Sequence, residues 1–115
     1  MILVIGGSYQ GKMDYVKEHY TQGYQIINEF HRYVQGCIRN GSDALEEAKQ
    51  LVERAKNAGT WDRLIIICDE LGSGLVPIKE EDRKLREVTG RVCTYLAGEA
   101  ETVLRIVAGI ATKIK

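Results

Sequence analysis

An apolar run, Ile2 to Ile5, passes without a spacer into Gly6-Gly7-Ser8-Tyr9-Gln10-Gly11-Lys12-Met13. A buried strand that ends in a glycine-rich turn and is followed at once by helix-forming residues has few uses other than a parallel α/β sheet. The segment also fits the phosphate-binding pattern G-x-x-x-x-G-K. Its chemistry follows from geometry: successive main-chain N–H groups of the turn and the positive end of the next helix face one space, where they attract an anion. Gly6, Gly7, Ser8, Tyr9, Gln10, Gly11, Lys12 and Met13 are therefore the candidate phosphate cradle, with Lys12 as the mobile cation for the outer phosphates. The alternative is a tight strand-to-helix turn whose glycines only permit close packing. At position 13 a Ser or Thr would ordinarily hold Mg²⁺, and the Met13 thioether is a soft, weak ligand for that hard ion. Nucleotide binding is thus the firmer expectation, and Mg-dependent catalysis the weaker one.

A chain of 115 residues reads as one domain spanning 1–115. Sixteen Lys and Arg balance sixteen Asp and Glu, so no overall field calls for nucleic acid or an anionic membrane, and any anion site has to be local. No stretch reaches the apolar length of a membrane span, and no basic region precedes the first apolar run. Cys37, Cys68 and Cys93 are odd in number and lack C-x-x-C spacing, which predicts reduced thiols. A soluble cytoplasmic protein is expected from these features together.

Along the chain, Met13, Val16 and Tyr20 show helical spacing, as do Ile26, Ile27, Phe30, Tyr33, Val34, Cys37 and Ile38, with a break at Thr21-Gln22-Gly23. Asn40-Gly41-Ser42-Asp43 closes that second helix and caps a third, whose stripe runs Ala44, Leu45, Ala48, Leu51, Val52 and Ala55 up to Gly59. Arg63 to Cys68 is a β-branched run without alternation, as in a strand covered on both faces. After the Gly72-Ser73-Gly74 loop and Pro77, a long helix is predicted from about Lys79 to Ala100, with Leu85, Val88, Val92 and Leu96 inward. Val103 to Ala108 makes a last strand, interrupted by Arg105. Three strands leave two open sheet edges, so an extra short strand near residues 21–27 or subunit packing is expected to cover one. Ligands of such sheets bind beyond the carboxyl ends of the strands.

Further candidates cluster at that end. Asp69 and Glu70 follow the Ile65-Ile66-Ile67 core after Cys68, where acidic Mg²⁺ ligands of phosphoryl-transfer enzymes lie, although strand-end acids also cap turns. One of the two could hold the metal, directly or through water, while the other places a substrate hydroxyl or ribose. His31 and His19 are the only histidines, and a neutral imidazole can accept a phosphoryl or nucleotidyl group. His31 equally fits a boundary histidine beside the apolar stripe of Ile27, Val34 and Ile38. Gly90 lowers helix propensity in mid-helix and so points to a close approach there, from which Arg91 could reach phosphate or a neighbouring subunit; otherwise Arg91 pairs with Glu87 one turn earlier.

Gly6-Gly7 with Gly11-Lys12, the stretch Glu70-Leu71-Gly72-Ser73-Gly74-Leu75-Val76-Pro77, then Gly90-Arg91, Leu96-Ala97 with Ala100, and Gly109-Ile110 closing on Ile114-Lys115 follow one another in that order. Together they resemble the adenosylcobinamide kinase and adenosylcobinamide-phosphate guanylyltransferase family of cobalamin biosynthesis, over about half the chain. The resemblance implies a P-loop NTPase-like three-layer sandwich with a small, mostly parallel sheet. It further implies a homo-oligomer, trimeric in kind, that uses ATP or GTP with Mg²⁺ to phosphorylate adenosylcobinamide and to transfer GMP through a guanylylated histidine. The family's loop usually reads G-G-x-R-S-G-K-S; Tyr9, Gln10 and Met13 replace an arginine and two hydroxyls. Cys93-Thr94 stands where the family has Asn-Gln, and Asn28-Glu29-Phe30-His31 does not match its histidine motif, so His31 is not carried over from it. Two functions of different class remain expected: a compact kinase and guanylyltransferase, or a nucleotide-binding sensor or scaffold without phosphoryl transfer.

Overall fold

The computed structural model describes residues 1–20, 22–71 and 79–115. The Gly72–Pro77 part of the anticipated loop and family motif lies outside them, as does Thr21. In chain order the elements are β1 (Ile2–Gly6), α1 (Lys12–His19), β2 (Gln25–Ile27), α2 (Phe30–Arg39), α3 (Ala44–Asn57), a short 3₁₀ turn (Trp61–Arg63), β3 (Leu64–Asp69), α4 (Glu80–Glu99), β4 (Thr102–Val107) and β5 (Ile110–Lys113). The five strands form one sheet in the order β2-β3-β1-β4-β5, parallel except for β5, which runs antiparallel to β4. Helices cover both faces, giving the α/β P-loop NTPase-like sandwich.

The handedness of crossovers explains how the helices are shared out. The chain steps from β1 outward to β2 through α1, then reverses, returning through α2 and α3 to β3 and through α4 to β4. Right-handed connections place opposite steps on opposite faces, so α1 stands alone and α2, α3 and α4 share the other side. Pleating then divides the strand residues between two cores. Leu3, Leu64, Ile66, Cys68 and Val103 pack with Phe30, Val34, Ala48, Val52, Val92 and Leu96, whereas Val4, Ile65, Ile67 and Ile106 pack with Val16 of α1. The unbroken apolar run in β3 follows from this double burial, every residue from Leu64 to Cys68 being buried. Asp43 caps α3 by accepting from the Glu46 N–H, as the turn chemistry predicts.

Two elements depart from the sequence reading. Ile26 and Ile27 belong to β2, paired with Ile65 and Ile66, and the helix expected to include them starts only at Phe30. A β-branched pair beside an open edge gains a ladder and an apolar face there, which outweighs its fit to a helical period; the extra strand near residues 21–27 is thereby present. The last strand turns back at Ala108 and Gly109, both at positive φ (50° and 75°), into β5. That two-residue hairpin bears no Asn-Gly or Asp-Gly signature, and the four residues of β5 are too few to show an alternation.

Two glycines have opposite roles. A Cβ on Gly6 would lie 2.4 Å from the Ile106 carbonyl oxygen, a backbone atom that cannot move aside alone, whereas a Cβ on Gly90 meets nothing within 4 Å. The close approach anticipated for Gly90 is absent among the described residues. Gly6→Ala is expected to cost at least about 2 kcal/mol by overpacking, and Gly90→Ala to add about 0.5–1 kcal/mol by helix propensity. Urea denaturation of both variants checks this pair; equal midpoints would contradict it.

Candidate functional site

The carboxyl ends of β1, β3 and β2 lie side by side, so the segments leaving them share one cavity of about 280 Å³. Ser8 to Asp14 form one wall, Asn28, Glu29, His31 and Arg32 another, and Asp69 closes the floor. The loop has the shape its glycines foretell. Gly11 at φ 87° opens α1 without a side-chain cap, leaving the first N–H groups of that helix to other acceptors. Tyr9 is also left-handed at φ 59°, and its side chain projects fully into solvent. Gln10 ties the loop to the β4–β5 hairpin: its Oε1 accepts the Ala108 N–H at 2.6 Å, and its carbonyl accepts the Gly109 N–H at 2.8 Å. A residue that reads in sequence as a lost hydroxyl therefore anchors the loop.

Lys12 is nearly buried, and its ammonium donates to the Gly7 carbonyl at 2.6 Å and pairs with Asp69 Oδ1 at 2.7 Å. Ser8 Oγ donates to Asp69 Oδ2 at 2.9 Å. Burial opposes ionisation of Asp69, but the hydrogen bonds from Lys12 and Ser8 and the nearby His31 and Lys12 outweigh it and hold the carboxyl below its usual range. His31 turns both ring nitrogens to the same residue. Its Nδ1 accepts the Asp69 N–H at 3.3 Å, and Nε2 lies 3.5 Å from Oδ2. His31 thus joins the strand end to the cavity wall that it also lines. His19 lies elsewhere, stacked on Tyr15 with Nδ1 at 2.9 Å from the Tyr15 carbonyl.

The structure parts Asp69 from Glu70. Successive side chains of a strand point to opposite faces, so Asp69 meets the loop while Glu70 crosses to Arg105, with contacts of 2.9 and 3.1 Å. The Glu70 N–H still extends the ladder to the Gly6 carbonyl at 2.8 Å. Arg91 does not approach the loop either; it is exposed on α4 and paired with Glu87. Met13 is half-buried against the α1 core and also borders the cavity. Asn28, Glu29 and Arg32 join the cavity wall without having been singled out in sequence. Their signal was positional: once β2 is recognised, its carboxyl end has to lie next to that of β3.

For Mg²⁺ the strand end offers the Asp69 carboxylate with the Ser8 hydroxyl beside it, Asp14 and Glu29 also line the cavity, and the described residues contain no group of three or more His, Cys, Asp or Glu able to cage a metal. That set suits an ion that keeps most of its water and takes phosphate oxygens from a substrate, provided that Lys12 leaves Asp69.

The glycine-rich turn, its lysine and the acidic strand end thus meet at one sheet edge, and comparison with known proteins gives the family. The family model described as cobinamide kinase / cobinamide phosphate guanyltransferase, CobU, matches residues 9–114. The chain belongs to this family. It is also similar to the bifunctional adenosylcobalamin biosynthesis protein CobU of Salmonella typhimurium strain LT2, with 38% identity over 53 residues, or 46% of this chain and 29% of that protein. The Escherichia coli K12 protein of the same description matches with the same identity and coverage. The aligned stretch thus spans less than a third of either relative.

Because Asp69 is more acidic when folded than when unfolded, the stability it confers is complete above about pH 4, the unfolded carboxyl range, and is lost as pH falls through the lower folded value. Asp69→Asn is therefore expected to cost about 1–3 kcal/mol at neutral pH. That gap should close progressively below about pH 4. Urea titrations across this range test the sign, and a gap that widens on acidification would contradict it.

Proposed function

We propose that this chain binds the triphosphate tail of ATP or GTP in the cradle of Gly7 to Lys12 and acts as a kinase and guanylyltransferase on adenosylcobinamide in cobalamin biosynthesis. The supporting observation is the buried Lys12 ammonium at the mouth of the first helix, held ready between Gly7 and Asp69. An incoming β or γ phosphate offers Lys12 a stronger acceptor than a carbonyl does. The amides opening α1 then meet the same phosphate. Asp69, released by Lys12, and Ser8 would hold Mg²⁺, which when bound offsets charge on the phosphate oxygens. Arg32, paired with Glu29 at 3.4 Å on the cavity wall, supplies a second cation within the pocket. Glu70 has no direct part in this arrangement, since Arg105 occupies it. Family membership supports the acceptor. Exposed Val107, Ile110 and Ile114 at the β5 side support burial between subunits of a homo-oligomer.

A second reading rests on Met13. Its half-buried thioether replaces the hydroxyl that would normally help to hold the metal, which favours a nucleotide-binding relative that does not turn over. The two readings separate in a pair of measurements. In calorimetric titration the protein is expected to bind ATP or GTP, and Lys12→Ala to weaken that binding by about tenfold or more. Absence of binding at millimolar triphosphate would overturn both readings. In the presence of Mg²⁺ and adenosylcobinamide, product formation supports the enzyme. Binding without product, with activity gained in Met13→Ser, supports the degenerate form.

A further inference from the structure

Beneath the strand end that carries Asp69, two thiols from different elements meet. Cys68, the penultimate residue of β3, has no exposed surface, and Cys93 of α4 points its sulfur to within 3.4 Å of the Cys68 Sγ, across 25 positions of chain. Contact at this range leaves about 1.4 Å of approach before a disulfide of about 2.05 Å is reached. Access is unequal. Cys93 borders a cavity of about 510 Å³ formed with Ile5, Glu70, Leu71, Thr89 and Gly90, while Cys68 is sealed behind it. The third thiol, Cys37, is buried with Tyr33 and Glu47 as its polar neighbours and has no thiol partner among the described residues.

We propose that Cys68 and Cys93 form a reversible intramolecular disulfide, a redox modification site that fastens the β3 strand end to α4. Exposure sets the order of events with hydrogen peroxide as oxidant. The Cys93 thiolate attacks one peroxide oxygen, the O–O bond breaks, and hydroxide leaves with Cys93 as sulfenic acid. The Cys68 sulfur, already in contact, then attacks the Cys93 sulfur and displaces hydroxide. Two thiols and one peroxide become one disulfide and two waters, with both sulfurs oxidised and the peroxide reduced. The proposal needs no nucleotide and stands apart from the function of the loop.

The test uses the full chain, treated with hydrogen peroxide, quenched, unfolded, alkylated and digested with trypsin. A cross-link between the peptides 64–79 and 92–105 is expected, the number of alkylatable thiols falling from three to one, with Cys37 the survivor and dithiothreitol restoring all three. Cys37→Ser should still form the link, and Cys93→Ser should not. Since the unmodified chain reports the link directly, a variant that fails to fold does not remove the test. Sulfinic acid accumulating at Cys93 without the link, or disulfides found only between chains, would overturn the proposal.

Discussion

One buried cation holds the site together. Lys12 carries its charge into a region where water is scarce, and the cost of leaving it there is met by the Asp69 carboxylate at 2.7 Å and the Gly7 carbonyl at 2.6 Å. Each partner belongs to a different strand-end segment, so the contact joins the first loop to β3. Through Asp69 it reaches further, because the same residue accepts from Ser8 and donates its N–H to His31 at the start of α2. Three loops at one sheet edge are therefore set by a single ion pair. Truncating either partner would leave a largely buried charge without its counter-ion.

The loop is also anchored from the opposite side. Gln10 holds the β4–β5 hairpin through two main-chain contacts, and Gly6 lets β1 end against the Ile106 carbonyl. The cradle is thus suspended between β3 and β4, on either side of β1, and its shape follows from the sheet order. With α1 alone on its face, the cavity in front of the loop stays open to a ligand. The outward step to β2 brings Asn28, Glu29 and Arg32 alongside.

Residues whose role is local were legible in the sequence. The apolar β1, the doubly buried β3, the Asp43 cap and the α3 stripe each satisfy one period or one cap, and the structure keeps them. Less legible were elements that exist only because something long-range pairs with them. Ile26 and Ile27 fit a helix in isolation and a strand once β3 offers its edge; β5 depends on β4 in the same way. Asp69 and Glu70 are neighbours in sequence but face opposite sides, so composition placed both near the loop where pleating admits one. Gln10 looked like a missing hydroxyl because its partners, Ala108 and Gly109, lie at the other end of the chain. The glycine-lysine pattern was readable, since its geometry is carried within eight consecutive residues.

The most direct check on this account is the titration of the Asp69 carboxyl, followed by carbon-13 NMR of aspartate-labelled protein with and without saturating triphosphate. In the free protein the carboxyl should titrate below the ordinary carboxylate range, because Lys12 and Ser8 hold it ionised despite its burial. With metal-free triphosphate drawing Lys12 away, its pKa should rise. An ordinary value in the free protein, or a low value indifferent to bound triphosphate, would contradict the claim that one lysine serves the resting carboxylate and the phosphate in turn.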